Sequence, residues 1–142
     1  MDLESELTEL YDPVKSEFED NAQYKHWFAP YKYVAQISQS LTIKKGIELI
    51  ESTDVNYDYV IIYRPDVLLW KSIRLETYDN GKIYVNGIGR PRGDFHFIMN
   101  MKNASKFKNL FNSAELGNEP KTHHWIENYV KNYMKEMLYS DN

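Results

Sequence analysis

The sequence predicts an α/β fold in which a small mixed β-sheet is flanked by helices. Apolar residues recur at helical spacing from about Tyr33 to Ser52, and again from Thr122 to Leu138. Between these stretches lie short apolar runs bounded by turn-forming residues, as expected for strands. With 142 residues, 42% of them hydrophobic and 27% charged, the chain suits a single α/β domain over residues 1–142.

The sequence of residues 1–30 predicts a short helix followed by an irregular segment. Residues Asp2 to Leu10 place Leu3 and Leu7 on one helical face together with Leu10, and Pro13 ends the helix because the residue before proline avoids helical angles. Large aromatic residues without a regular period follow. We expect residues 1–30 as a whole to be an irregular N-terminal segment packed on the domain.

Three strands are expected in the middle of the chain. Asp58 to Tyr63 is the strongest, and its continuous Val60-Ile61-Ile62 run predicts a central strand buried on both faces. The turn Asp79-Asn80-Gly81 introduces a second strand, Lys82 to Val85. Phe95 to Met99 is the third.

Two further helices complete the expected order. Asn103 to Ala114 places Ala104, Phe107 and Phe111 on one face. The last helix, Thr122 to Leu138, carries a wide stripe of aromatic and aliphatic residues. We interpret that stripe as a core face rather than a ligand site.

Composition excludes several classes of protein. The net charge of −4 argues against a nucleic-acid binder, which would carry a basic face. The absence of cysteine excludes disulfides and thiolate metal sites and is compatible with a reducing compartment. The acidic start predicts no signal peptide, and no apolar run has the length of a membrane span. We therefore expect a cytoplasmic protein.

The residues after the strongest strand have the chemistry of a binding site. Arg64-Pro65-Asp66 follows the strand directly, and ligands of open α/β sheets sit beyond the carboxyl ends of strands. Asp66 can supply an oxygen ligand to a divalent cation, and Arg64 can pair with a phosphate. A structural Arg–Asp pair at a bend is the alternative. Arg90 and Arg92, in the loop Gly87 to Gly93, suit either a phosphate site or a solvated loop.

The stretch "YDYVIIYRPDVLLWKSI", preceded by "AQISQSLTIKKGIELIES" and followed by Asp94-Phe95-His96-Phe97-Ile98, resembles glycosyltransferase-like proteins of the GT-A, nucleotide-diphospho-sugar transferase fold. The resemblance covers about residues 30 to 130. It implies a reduced GT-A-like domain that transfers a sugar from a nucleotide sugar to a hydroxyl acceptor. It also implies that Asp66 holds a divalent metal, Mn or Mg, with the diphosphate, and that Asp94 is the catalytic carboxylate on the acceptor side.

Two departures from that family leave other functions open. The chain has Arg64-Pro65-Asp66 where the family has an Asp-x-Asp pair, and nothing before Tyr33 resembles the nucleotide-binding half. The alternatives are a non-catalytic interaction module and a carbohydrate-binding protein that uses exposed tyrosines, both derived from the same fold. A homo-oligomer or a partner chain is a further expectation, because either would supply the missing surface.

Overall fold

The computed structural model describes residues 3–18, 34–64, 72–86, 96–116 and 122–141. In chain order, their helices and strands are α1 Leu3–Tyr11, α2 Val34–Glu51, β1 Val60–Tyr63, β2 Ile83–Asn86, β3 His96–Met99, α3 Met101–Phe107, α4 Leu110–Leu116, α5 Thr122–Tyr129 and β4 Leu138–Asp141. A 3₁₀ turn, Leu75–Thr77, precedes β2, and a π-helical turn, Val130–Met134, continues from α5. None of the helices in these ranges is long and apolar enough to cross a membrane.

The described strands form one mixed sheet in the order β1-β3-β2-β4. β3 pairs antiparallel with both neighbours: Ile61 lies opposite Ile98, and Val85 lies opposite Phe97. β4 pairs in parallel with β2. β1, β2 and β4 therefore run in one direction and β3 runs in the other. The predicted α/β class with a small mixed sheet is confirmed.

The helices cover one face of this sheet. Alternate side chains point to opposite faces, so one face carries Val60, Ile62, Ile83, Val85, Phe97 and Met99. This face packs against buried side chains of α2 to α5, with the rings of Phe97 and Phe107 5.1 Å apart between their centroids. Phe107 in turn contacts Tyr129 edge-on at 6.5 Å. The main core thus lies between the sheet and the helices, while Ile98, also fully buried, lies on the opposite face with Ile61 and Tyr84 beside it.

Helix α2 lies where the sequence predicts it. Ile37, Leu41 and Ile47 are buried as expected, and the buried hydroxyl of Ser40 donates to the Ile37 carbonyl at 2.9 Å. That bond satisfies a polar group that would otherwise be costly in the core. The predicted helix Asn103 to Ala114 is instead divided into α3 and α4.

The C-terminal helix ends earlier than the sequence predicts. Its stripe is buried as expected at Trp125 and Ile126, but helical structure stops at Met134. Lys135 then takes a left-handed conformation, with φ 59°, and the Glu136 amide donates to the Val130 carbonyl at 3.2 Å. The chain leaves the helix there and forms β4. This strand was not predicted, because the apolar residues before it continue the helical period.

The prediction that β1 is a central strand buried on both faces is wrong. Within the described sheet β1 is an edge strand rather than a central one, and Ile61 and Tyr63 are 40% and 37% exposed on the face away from the helices. Helix α1 forms as predicted but buries no residue, with Leu3 and Leu10 both exposed. The predicted packing of residues 1–30 is therefore not seen for α1, and residues 19–33 lie outside the described part of the chain.

Aspartate at two apolar positions distinguishes the core from the edge. Val130→Asp places an unpaired charge at a site that is 1% exposed, which we expect to cost about 4 kcal/mol and to unfold most of the protein. Ile61→Asp, at the exposed face of β1, should cost about 1 kcal/mol. Urea denaturation followed by circular dichroism measures both. Equal losses in the two variants would contradict the assignment of the faces.

A carboxylate between α2 and α3 makes stability depend on pH. Glu51 accepts hydrogen bonds from Lys108 at 2.6 Å and Ser105 at 2.7 Å, and these bonds hold its pKa below the usual value of 4.5. Because the folded pKa is lowered, the stabilisation is complete above pH 4.5 and is lost as the pH falls through the folded pKa. Melting temperatures recorded from pH 7 down to pH 3 should therefore fall less steeply for Glu51→Gln than for the native protein. Parallel curves for the two proteins would contradict this.

Candidate functional site

The carboxyl end of β1 carries the first predicted site residue. Arg64 follows Tyr63 directly and is exposed. The other predicted site residues, Asp66, Arg90, Arg92 and Asp94, lie outside the described part of the chain.

The register of the sheet brings three strand ends together. Tyr63, the last residue of β1, pairs with His96, the first residue of β3. On the other side of β3, the Asn86 side-chain oxygen at the end of β2 accepts from the His96 amide at 3.3 Å. Neighbouring strands are about 4.8 Å apart, so the ends of β1 and β2 are separated by about 10 Å.

The predicted site residues are connected to these strand ends. Asp66 comes three positions after Tyr63, Asp94 comes two positions before His96, and Arg90 and Arg92 fall between β2 and β3. Each segment therefore begins or ends at the same end of the sheet. The sequence predicts Arg64 and Asp66 at the carboxyl end of β1. The structure shows in addition that the start of β3 and the end of β2 lie next to that end.

The described residues do not themselves form a metal site. Among them, no group of three or more histidine, cysteine, aspartate or glutamate side chains is placed to hold a metal ion. Asp66, the ligand expected for a divalent cation, is outside those residues. Its carboxylate is a hard oxygen donor of the kind that Mg²⁺ and Mn²⁺ take.

A cleft of about 500 Å³ lies at the opposite, amino-terminal end of β1 and β2. We call it the tyrosine cleft, and it is lined by Tyr57, Asp58, Tyr59, Leu75, Glu76, Tyr78 and Asn80. Three of these residues immediately precede β1, and the other four precede β2. Since both strands run in the same direction, their preceding loops meet at one end of the sheet.

Hydrogen bonds fix the walls of the tyrosine cleft. The Tyr59 hydroxyl donates to the Tyr78 carbonyl at 2.8 Å, and the Asn80 side-chain amide donates to the Asp58 carbonyl at 2.9 Å. Asn100, at the far end of β3, donates to the Asn80 carbonyl at 2.8 Å. The two loops are therefore joined to each other and to the sheet, and the cleft is preformed.

The Asp79 carboxylate stabilises the turn behind the cleft, which runs from Asp79 to Lys82. The Gly81 amide donates to the Asp79 carboxylate at 2.9 Å, and Lys82 lies 3.2 Å from the same group. These contacts, the Gly81 amide first, hold the pKa of Asp79 below its usual value. Tyr84 accepts from the Asp79 amide at 3.0 Å, and its ring meets Tyr78 edge-on at 4.7 Å.

Sequence reasoning missed the residues of the tyrosine cleft. Their signal is a pair of similar segments, Tyr57-Asp58-Tyr59 and Tyr78-Asp79-Asn80, each placed just before a strand. The relation between the two segments depends on β3 lying between β1 and β2, which aligns those strands. Periodicity within a segment does not reveal that order.

Comparison with known proteins adds no relative. No family model, no curated protein and no solved structure matches this chain. The residues and the geometry of the sheet are therefore what indicate a function.

Asn100 has two separable roles that variants can distinguish. Its side-chain oxygen accepts from the Asn103 amide at 2.8 Å as the N-cap of α3, and its NH₂ group holds the Asn80 carbonyl. Asn100→Asp keeps the cap and loses the second bond, which we expect to cost about 1 kcal/mol. Asn100→Ala loses both and should cost about 2 kcal/mol. Urea denaturation gives both values. An aspartate variant as stable as the native protein would contradict the second role, and one as unstable as the alanine variant would contradict the cap.

Proposed function

We propose that the protein is a glycosyltransferase-like enzyme that transfers a sugar from a nucleotide sugar to a hydroxyl acceptor. One observation supports the proposal most strongly. The strand ends adjoining Asp66, Asp94 and the two loop arginines gather at one end of the sheet, with Arg64 exposed beside them. That is the end at which ligands bind in open α/β sheets.

Each residue has a chemical role in this proposal. The Asp94 carboxylate takes the proton of the acceptor hydroxyl, and the acceptor oxygen attacks the anomeric carbon of the donor sugar. The bond from that carbon to the diphosphate oxygen breaks, and the diphosphate leaves with the electron pair. Arg64, Arg90 and Arg92 bind the phosphate oxygens and stabilise the charge that develops on them.

A divalent metal fits the donor chemistry of this end of the sheet. Asp66 would hold Mn²⁺ or Mg²⁺ against the diphosphate, with water and phosphate oxygens filling the remaining positions. The ion would supply neutralisation of the leaving group's charge. The protein's own contribution is the stiff Arg64-Pro65-Asp66 unit, since proline restricts both its own backbone and that of Arg64.

A non-catalytic interaction module is the second candidate. The observation in its favour is the edge position of β1 among the described strands, with Ile61 and Tyr63 presented on the face away from the helices. An apolar, uncharged edge strand is a template for pairing with another chain. Such a module would keep the sheet and its helical layer without the transfer reaction.

Ligand-induced stabilisation distinguishes the enzyme from the module. Mn²⁺ or Mg²⁺ together with a nucleoside diphosphate should raise the melting temperature of the native protein by several degrees, because a ligand that binds only the folded state stabilises it. Asp66→Asn should lose most of this shift and leave the melting temperature of the unliganded protein unchanged. Differential scanning fluorimetry with uridine, guanosine and other nucleoside diphosphates measures both.

Asp58→Asn is the matched control. It removes one exposed carboxylate at the opposite end of the sheet and should keep the full metal-dependent shift. A native protein that shows no shift with any nucleoside diphosphate would favour the interaction module. A shift that survives Asp66→Asn would contradict the role of Asp66.

A further inference from the structure

The tyrosine cleft is distant from the proposed transfer site. Tyr59 stands before β1 and Arg64 stands after it. Arg64 comes five positions after Tyr59 along an extended chain, which corresponds to about 17 Å. A single sugar unit in the cleft therefore does not reach the strand ends to which the transfer chemistry is assigned, so the cleft is a separate site.

The lining of the cleft combines aromatic surface with hydrogen-bonding groups. Tyr57, Tyr59 and Tyr78 are each partly exposed, and Leu75 adds aliphatic surface beside them. The carboxylates of Asp58 and Glu76 are exposed, and neither makes a hydrogen bond or ion pair with any described residue. Tyrosine rings offer a flat apolar surface, whereas carboxylates accept strong hydrogen bonds from hydroxyl groups.

Charge narrows the class of ligand. Two of the seven lining residues are acidic, and none of these seven is cationic. A phosphate or another anion would be repelled at such a site. A neutral polyhydroxylated molecule suits both the aromatic surface and the carboxylates. Its C–H face packs on a tyrosine ring while its hydroxyls donate to Asp58 and Glu76.

Size and rigidity favour a carbohydrate over a small cation. A volume of about 500 Å³ falls in the range of small-molecule sites and is large for the tight aromatic enclosure that holds a methylated ammonium group. The bonds from Tyr59 to Tyr78 and from Asn80 to Asp58 hold the loops in place before any ligand arrives. A preformed site reduces the ordering cost of binding.

We infer that the tyrosine cleft is a binding site for a neutral glycan, separate from the proposed transfer site. Tyr57 provides the stacking surface, since it lines the cleft and takes part in none of the loop-bracing bonds. Asp58 and Glu76 receive the glycan hydroxyls. In a transferase, such a site would hold a distant part of a glycan acceptor; in a non-catalytic protein it is the binding function itself.

The experiment uses an array of neutral and anionic glycans, followed by titration of the neutral glycans that bind, observed by NMR. We expect neutral glycans to be retained and anionic ones to be weak, with chemical-shift changes at residues 57–59 and 75–80. Tyr57→Ala and Asp58→Asn should each weaken binding at least fivefold. Tyr11→Ala, an exposed tyrosine on α1, and Asp54→Asn, an exposed carboxylate, are the matched controls and should bind as the native protein does.

Three results would overturn the inference. They are retention of no neutral glycan, binding that is insensitive to Tyr57→Ala and Asp58→Asn, and shift changes at residues 57–59 produced by choline but by no glycan. The metal-dependent thermal shift is a separate readout. Its failure alongside retained glycan binding would remove the transferase proposal and leave the glycan site standing.

Discussion

Strand β3 is the constraint on which the rest of the molecule depends. It is hydrogen-bonded along both edges, and all four of its residues, His96 to Met99, are buried. Because it pairs antiparallel on both sides, it forces β1 and β2 to point the same way. The hydrogen bonds of β3 also fix the register of β1 relative to β2. Both strands therefore begin at one end of the sheet and finish at the other.

This arrangement gives the two ends of the sheet different chemistry. One end carries Arg64 and the strand ends that lead to the remaining arginines and aspartates. The other carries three tyrosines and two carboxylates in a braced cleft. The described helices cover one face of the sheet. Among the described residues, one end therefore presents the guanidinium of Arg64 and the other presents acidic and aromatic groups.

The sequence predicted the parts of the fold that depend on local pattern. α2, β2 and β3 lie within about two residues of their predicted bounds, because apolar period and turn residues act over a few positions. The edge position of β1 was missed because a continuous Val-Ile-Ile run is the same whether one face or both are covered. β4 was missed because Met137 and Leu138 continue the helical period, and because a lysine, Lys135, takes the left-handed turn where glycine or asparagine would have marked a stop.

The site was predictable to the same degree. Arg64 at a strand end follows from local reading, whereas the tyrosine cleft joins two loops whose meeting depends on strand order. Long-range pairing of this kind is the part of a fold that a single sequence specifies least directly.

The late position of β4 has a consequence for how the chain acquires its structure. Ile83 of β2 pairs with Leu138, which is synthesised only after β3 and helices α3 to α5. Pairing between segments so distant along the chain is slow, since the intervening loop must close before any contact rewards it. During synthesis, this edge of β2 therefore stays without its β4 partner until the C-terminal strand has emerged, and an unpaired strand edge is prone to wrong pairing.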